Sequence, residues 1–146
     1  MKNWNGKPYH SFDSMLKERF HGKVYKAALN GGMTCPNRDG TLGSRGCIFC
    51  SAGGFGGFSG DRGDTITQQI EKQTKSIRAK RNADSFIAYF QAYTNTYASL
   101  AYLEKLYMEA ILHPDIRILS IATRPDCLST EILDLLERLN QIKPVW

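Results

Sequence analysis

The stretch T-C-P-N-R-D-G-T-L-G-S-R-G-C-I-F-C-S, residues 34–51, holds Cys35, Cys47 and Cys50 in the spacing C-x11-C-x2-C. A close C-x2-C pair lets two sulfurs reach one metal centre. A third ligand 12 residues upstream has to come back by a loop. Three cysteine ligands leave one coordination position open, as a catalytic centre needs and a closed structural site lacks. The run lies within residues 30–63, which hold eleven of the chain's 13 glycines. A loop of that length inside a compact domain usually binds something.

Reading outward from this loop gives the fold class. Residues 11–20 place Phe12, Met15, Leu16 and Phe20 at helical spacing, with Ser11 as N-cap. Residues 23–29 read as a short strand leading into the cysteine loop. Asp64 is expected to cap a helix running to about Lys80, with Ile66, Ile70 and Ile77 on one face. Residues 85–91 are apolar and aromatic, as in a buried strand. Leu100, Leu103, Leu106 and Tyr107 predict a helix over 97–112, stopped at His113-Pro114 because the residue before proline avoids helical angles. A third strand follows over 116–123. Ser129 then caps a helix carrying Ile132, Leu133, Leu136 and Leu139, and Pro144-Val145-Trp146 opens another strand. Alternating strands and helices imply an α/β fold with parallel strands and right-handed crossovers. A sheet of three or four parallel strands with no further covering would expose edges and apolar faces. The expectation is therefore the N-terminal part of something larger, divided into a helical extension over 1–22 and the strand-helix units over 23–146.

Three segments stand at the carboxyl ends of the expected strands: the cysteine loop, Gln91 to Thr96, and Thr123 to Cys127. In parallel α/β folds that edge is the working end, so the three should converge. This argument is independent of the cysteines.

The bulk numbers are ordinary. Of 146 residues, 42% are apolar and 23% charged, which suits one folded domain. No apolar run approaches the ~18 residues of a membrane span. Residues 1–10 show no apolar core of a secretory signal, so the cytoplasm is the expected location. Four cysteines in that reducing compartment read as metal-binding or catalytic rather than as two disulfides. The net charge of +5 tolerates a polyanionic partner without demonstrating one. Lys75, Arg78, Lys80 and Arg81 form the densest basic cluster, which reads as a solvated helix end in preference to the alternative of an RNA contact.

Three segments together resemble the radical S-adenosylmethionine (SAM) superfamily: G-M-T-C-P-N-R-D-G-T with G-C-I-F-C, then Y-F-Q-A-Y-T-N-T-Y, then S-I-A-T-R-P-D-C-L. Within it the chain looks like a bacterial branch related to the catalytic subunit of elongator. The spacing departs from the superfamily's commonest C-x3-C-x2-C, and the longer first gap occurs in this branch. The resemblance implies a partial (β/α) barrel, here its first three to four βα units. It implies that Cys35, Cys47 and Cys50 each bind one iron of a [4Fe-4S] cluster, and that SAM binds the fourth iron. One-electron reduction, from a donor such as flavodoxin or ferredoxin, would then yield methionine and a 5′-deoxyadenosyl radical. The elongator relation points to tRNA as partner.

The same resemblance puts Phe49 near the adenine, with a core position beneath the loop as the alternative. It puts Gln91 and Thr94 at the SAM amino group, although the usual glycine-glycine-acid pattern is absent and strand-capping hydrogen bonds would serve equally. Arg124 would meet the SAM carboxylate, or else pair with Asp126. Cys127 is a fourth ligand, a radical-chemistry thiol or, as free cysteines commonly are, a small buried hydrophobe. Gly53, Gly54, Gly56, Gly57 and Gly60 suggest close backbone approach to a cofactor, since no G-K-[ST] follows to make a P-loop. Asn37, Arg38 and Asp39 would shape the cysteine loop, and His10, His21 and His113 show no partner spacing.

A rival reading from another class is a non-catalytic zinc module closed by Cys35, Cys47, Cys50 and Cys127. Against it, the second C-x2-C of a zinc ribbon is missing.

Overall fold

The computed structural model of the chain describes residues 3–4, 6–50 and 58–146. Helix α1 (Phe12–Phe20) precedes strand β1 (Tyr25–Leu29). Helix α2 (Ile66–Arg78), strand β2 (Phe86–Phe90), helix α3 (Leu100–Leu112), strand β3 (Ile116–Ile121) and helix α4 (Thr130–Asn140) follow. The strands form one parallel sheet in the order β1-β2-β3. The chain is thus an α/β protein of consecutive strand-helix units, as the alternation predicts. Val145 adds a parallel bridge to Leu119, with Trp146 N–H donating to the Leu119 carbonyl at 2.9 Å, so the expected fourth strand begins beside β3.

The sheet alternates its side chains as a pleated strand must. Phe86, Ala88 and Phe90 of β2 point to one face and join Leu29, Ile116 and Leu119 in the main core. That face is covered by Ile66 and Ile70 of α2, Leu103, Tyr107 and Ile111 of α3, and Leu135 and Leu139 of α4. Phe86, Phe90 and Tyr107 have no exposed surface, and each such large apolar side chain contributes about 1.5–3 kcal/mol by burial. Ile87 and Ile118 point to the opposite face and meet Leu16 of α1. Helix α1, within the expected N-terminal extension, thus packs Leu16 against the sheet.

Local chemistry sets the helix ends. Ser11 and Ser129 cap α1 and α4 through their hydroxyls, as expected. The cap of α2 is Thr65, not Asp64. Thr65 accepts from Gln68 N–H while the Gln68 side chain accepts from Thr65 N–H, a reciprocal capping box. Asp64 instead pairs with Lys72 at 2.6 Å. The strands are shorter than the expected 23–29, 85–91 and 116–123, although Gln91 N–H and Ala122 N–H still bond to the Leu29 and Phe90 carbonyls just past the strand ends. Arg78 is bound to Asp115 at 3.0 Å, so the basic cluster is only partly solvated. Among the described residues no helix is long and apolar enough to cross a membrane.

Candidate functional site

The parallel register places Leu29, Phe90 and Ile121 level with one another, so the loops after all three strands leave the sheet side by side. Backbone bonds sew them together. Gln91 N–H donates to the Leu29 carbonyl, Thr94 N–H to Thr34, Ala122 N–H to Phe90 and Asn95 N–H to Ala122. Thr94, Asn95 and Thr96 are buried. The Asn95 amide donates to the Ala92 and Ala122 carbonyls at 3.0 Å, and its own carbonyl accepts from the Tyr107 hydroxyl. Thr96 links to Thr123 and to the Cys127 carbonyl. A polar tripeptide buried at a strand end was the available signal for this seam, and only Thr94 of the three was singled out from sequence.

The cysteine loop folds on itself in turns. Cys35 carbonyl accepts from Arg38 and Asp39 N–H, and Cys47 carbonyl from Cys50 N–H at 3.0 Å. The last bond closes the C-x2-C segment into a single turn, which carries both thiols. Asn37 accepts from Gly46 N–H through its carbonyl at 2.8 Å and donates from its side-chain amide to Cys47 Sγ at 3.3 Å. Asp39 accepts from Thr41 N–H. The Arg38 guanidinium lies over the Tyr93 ring at 5.0 Å, tying the loop to the end of β2. Asn37, Arg38 and Asp39 thus shape the loop, as their position suggested.

At the carboxyl edge of the sheet lies a cavity of about 260 Å3 lined by Cys35, Cys47, Phe49, Cys50, Gln91, Thr94 and Arg124, among others. All seven site residues expected from sequence therefore meet in one place. Ala92 and Tyr93, from the expected Gln91–Thr96 segment, also line it, as do Arg38 and Gly46 of the cysteine loop; Tyr89 and Ala122, at or just past strand ends, were not foreseen. Phe49 is 70% exposed, which excludes the core position beneath the loop.

Around Cys35 the electrostatics are specific. Burial pushes its thiol up, but hydrogen bonds from Thr94, from the Asn37 backbone and from Arg124 outweigh this and hold it below the ordinary value. Arg124 clasps Asp126 with Nε at 2.9 Å and Nη2 at 2.7 Å, and its Nη1 donates to Cys35 Sγ at 3.5 Å. The ion pair named as the alternative for Arg124 is therefore present, and a contact with Cys35 comes in addition. Asp126 is held below the usual carboxylate range by that guanidinium.

Cys127 does not line this cavity. It faces a neighbouring cleft with Pro36, Leu42, Thr96 and Ile132, and burial pushes its thiol up. All four cysteines are free thiols. Among the described residues no three His, Cys, Asp or Glu side chains converge closely enough to share a single metal ion. A cuboid iron–sulfur cluster makes a different demand, because each thiolate binds its own iron and the sulfurs stand around the cluster. Gly53, Gly54, Gly56 and Gly57 lie outside the described residues. Elsewhere, His10 meets Glu18, His21 ends α1 in the left-handed region and His113 accepts from Asp115 N–H.

No family model matches the chain, and no solved structure matches it. Among curated proteins it is 43% identical over 140 residues to the uncharacterized protein YtqA of Bacillus subtilis, covering 96% of this chain and 44% of that one. It is 41% identical over 137 residues to protein YhcC of Escherichia coli K12, covering 92% and 43%. It is 32% identical over 123 residues to the uncharacterized protein MJ0486 of Methanocaldococcus jannaschii, covering 83% and 37%. The chain spans less than half the length of the curated relatives it matches, and their names assign no activity.

Proposed function

We propose that this chain is the cluster-binding part of a radical SAM enzyme, with its sheet forming the first units of a (β/α) barrel. The observation that carries the reading is the cavity at the carboxyl edge of the sheet, where three free cysteines meet Phe49, Gln91, Thr94 and Arg124. The donor set fits a [4Fe-4S] cluster: three thiols line one cavity, and two of them already receive side-chain N–H donors. Cys35, Cys47 and Cys50 would hold three irons, and Phe49, Gln91, Thr94 and Arg124 would border SAM at the fourth. When bound, the cluster supplies one electron to split SAM into methionine and a 5′-deoxyadenosyl radical.

The chain's own residues bind, orient and exclude water. The Cys47–Cys50 turn and the Asn37 bonds preset two thiols, and Thr94 and Arg124 preset the third, so little ordering remains on cluster assembly. Cys35 is almost fully buried, which limits access of water and oxygen on that side. The electron would come from a one-electron donor such as flavodoxin or ferredoxin. The longer protein would act in the cytoplasm on tRNA, a step that rests on the elongator resemblance alone. The basic cluster at the end of α2 leads into β2 and so lies at the opposite end of the sheet from the cavity; a tRNA substrate would have to be held by other residues.

Anaerobic reconstitution with iron and sulfide tests the reading. About four irons per chain, with a reduced-cluster electron paramagnetic resonance signal that SAM perturbs, is the expected result. A chain that takes up no iron, or one tightly bound zinc instead, overturns it. For tRNA, the longer protein should bind with steep salt dependence, and binding indifferent to salt would remove that part.

A further inference from the structure

We propose that Arg124 and Asn37 tune the reduction potential of the cluster by donating N–H···S hydrogen bonds to Cys35 and Cys47, with Asp126 as the counterweight on Arg124. This rests on the cluster-binding reading above.

The geometry makes Arg124 a divided group. A guanidinium is a rigid planar fork. Two of its nitrogens, Nε and Nη2, are taken by the two oxygens of Asp126, which leaves Nη1 directed at Cys35 Sγ. Asp126 therefore aims the arginine and cancels part of its charge. Asn37 is aimed in another way. Its carbonyl holds Gly46 N–H, and its amide reaches Cys47 Sγ one residue further on. Both donors come from outside the C-x2-C turn, and neither is needed to close it.

A ligand thiolate carries part of the charge of its cluster. When a low-potential donor gives one electron to the cluster, the net charge at the site falls by one and no proton has to move. N–H donors and a nearby cation stabilise that more negative state over the oxidised one, so they raise the potential. Hydrogen bonds to the sulfurs and net charge are among the principal settings of iron–sulfur potentials. A neighbouring carboxylate acts in the opposite sense. Asp126 should accordingly lower the potential that Arg124 alone would set.

The opposed signs distinguish tuning from support of the fold. The reconstituted chain, Arg124→Gln, Asn37→Leu and Asp126→Asn would each be titrated with dithionite and followed by electron paramagnetic resonance. Arg124→Gln and Asn37→Leu should each lower the reduced-to-oxidised ratio at a given donor potential about tenfold, a shift of about 59 mV for one electron. Asp126→Asn keeps one amide oxygen to accept from Arg124, removes the negative charge and should move the midpoint upward. If Arg124→Gln fails to hold a cluster, Asn37→Leu and Asp126→Asn still carry the opposed pair. Identical midpoints in all proteins, or shifts of one sign throughout, overturn the proposal while leaving the cluster reading intact. A wild-type chain without a cluster overturns both.

Discussion

The guanidinium of Arg124 donates to the sulfur of Cys35 at 3.5 Å, although 89 residues separate them in the chain. The contact joins the loop after β3 to the loop after β1, passing over the loop after β2, whose Thr94 also bonds to Cys35. Cys35 is thereby held from two other strand ends, whereas Cys47 and Cys50 depend mainly on their own turn.

The proposed cluster predicts an unequal set of cysteine variants. Cys35→Ser, Cys47→Ser and Cys50→Ser should each reduce iron uptake from about four per chain to well under half of that. Cys127→Ser, on the far side of Asp126 in the neighbouring cleft, should retain full uptake. Iron and sulfide assays after reconstitution check this. Loss of metal in Cys127→Ser would instead favour the four-cysteine zinc site.

Gln69 is a buried side chain that ties β1 to α2. Its Oε1 accepts from Asn30 N–H at 2.8 Å, and its Nε2 donates to the Asn30 and Asp64 carbonyls at 3.1 and 3.2 Å. Gln69→Leu keeps the volume and strands those three backbone groups, at about 1–3 kcal/mol for each left unsatisfied. A loss of about 2–4 kcal/mol in urea unfolding is expected, given some relaxation toward water. A loss below about 0.5 kcal/mol, the range of an ordinary surface change, would show that the seam is not structural.

Gly46 stands at φ +72 immediately before Cys47, and a Cβ there would lie 2.9 Å from Arg38 Nε. Gly46→Ala therefore strains the backbone and displaces the arginine that stacks on Tyr93. A cost of about 1–3 kcal/mol is expected. The sharper readout is slower cluster assembly at unchanged far-ultraviolet circular dichroism. Assembly at the wild-type rate would mean that the turn does not preset the thiols.

The Arg78–Asp115 pair gives a pH signature. The guanidinium beside Asp115 holds its carboxyl below the ordinary 3.8. A depressed folded-state value means that the stabilisation is fully present above 3.8 and is lost as pH falls through the lower value. Both side chains are partly exposed, so solvent screens the pair and its contribution is small. Asp115→Asn should lower stability modestly at pH 7, and the difference from wild type should vanish toward pH 2–3, a window set by the carboxylate range. Urea midpoints at the two pH values measure it. A difference that persists in acid would assign the effect to lost packing.

The helices were legible because their signals are local. Ser11 and Ser129 bond within their own first turns, and Pro114 stops α3 at its own position. The cap of α2 was misplaced by one residue: T-x-x-Q at 65–68 carries the capping-box pattern, whereas Asp64 has a suitable side chain at the wrong register. Strand lengths were less legible. The chain stays buried past the last paired residue where the following loop is also covered, as at the polar Thr94, Asn95 and Thr96, so burial does not mark the strand end. The site was legible as a set, because each of its segments follows a strand, and parallel strands send their carboxyl ends to one edge.

What the sequence by itself determined is the alternation of strand and helix and the placing of three cysteines, Gln91, Thr94 and Arg124 at that edge; periodicity, caps and turn residues act over a few positions and need no distant partner. Only the tertiary structure decided which of these side chains touch. That Arg124 is shared between Asp126 and Cys35, that Thr94 serves the same sulfur and that Cys127 faces another cleft all depend on sheet register. The pairing of Leu29 with Phe90, and of Phe90 with Ile121, sets which loop residues come level. A slip of one residue would turn every strand side chain to the opposite face, and nothing local to the loops specifies that choice.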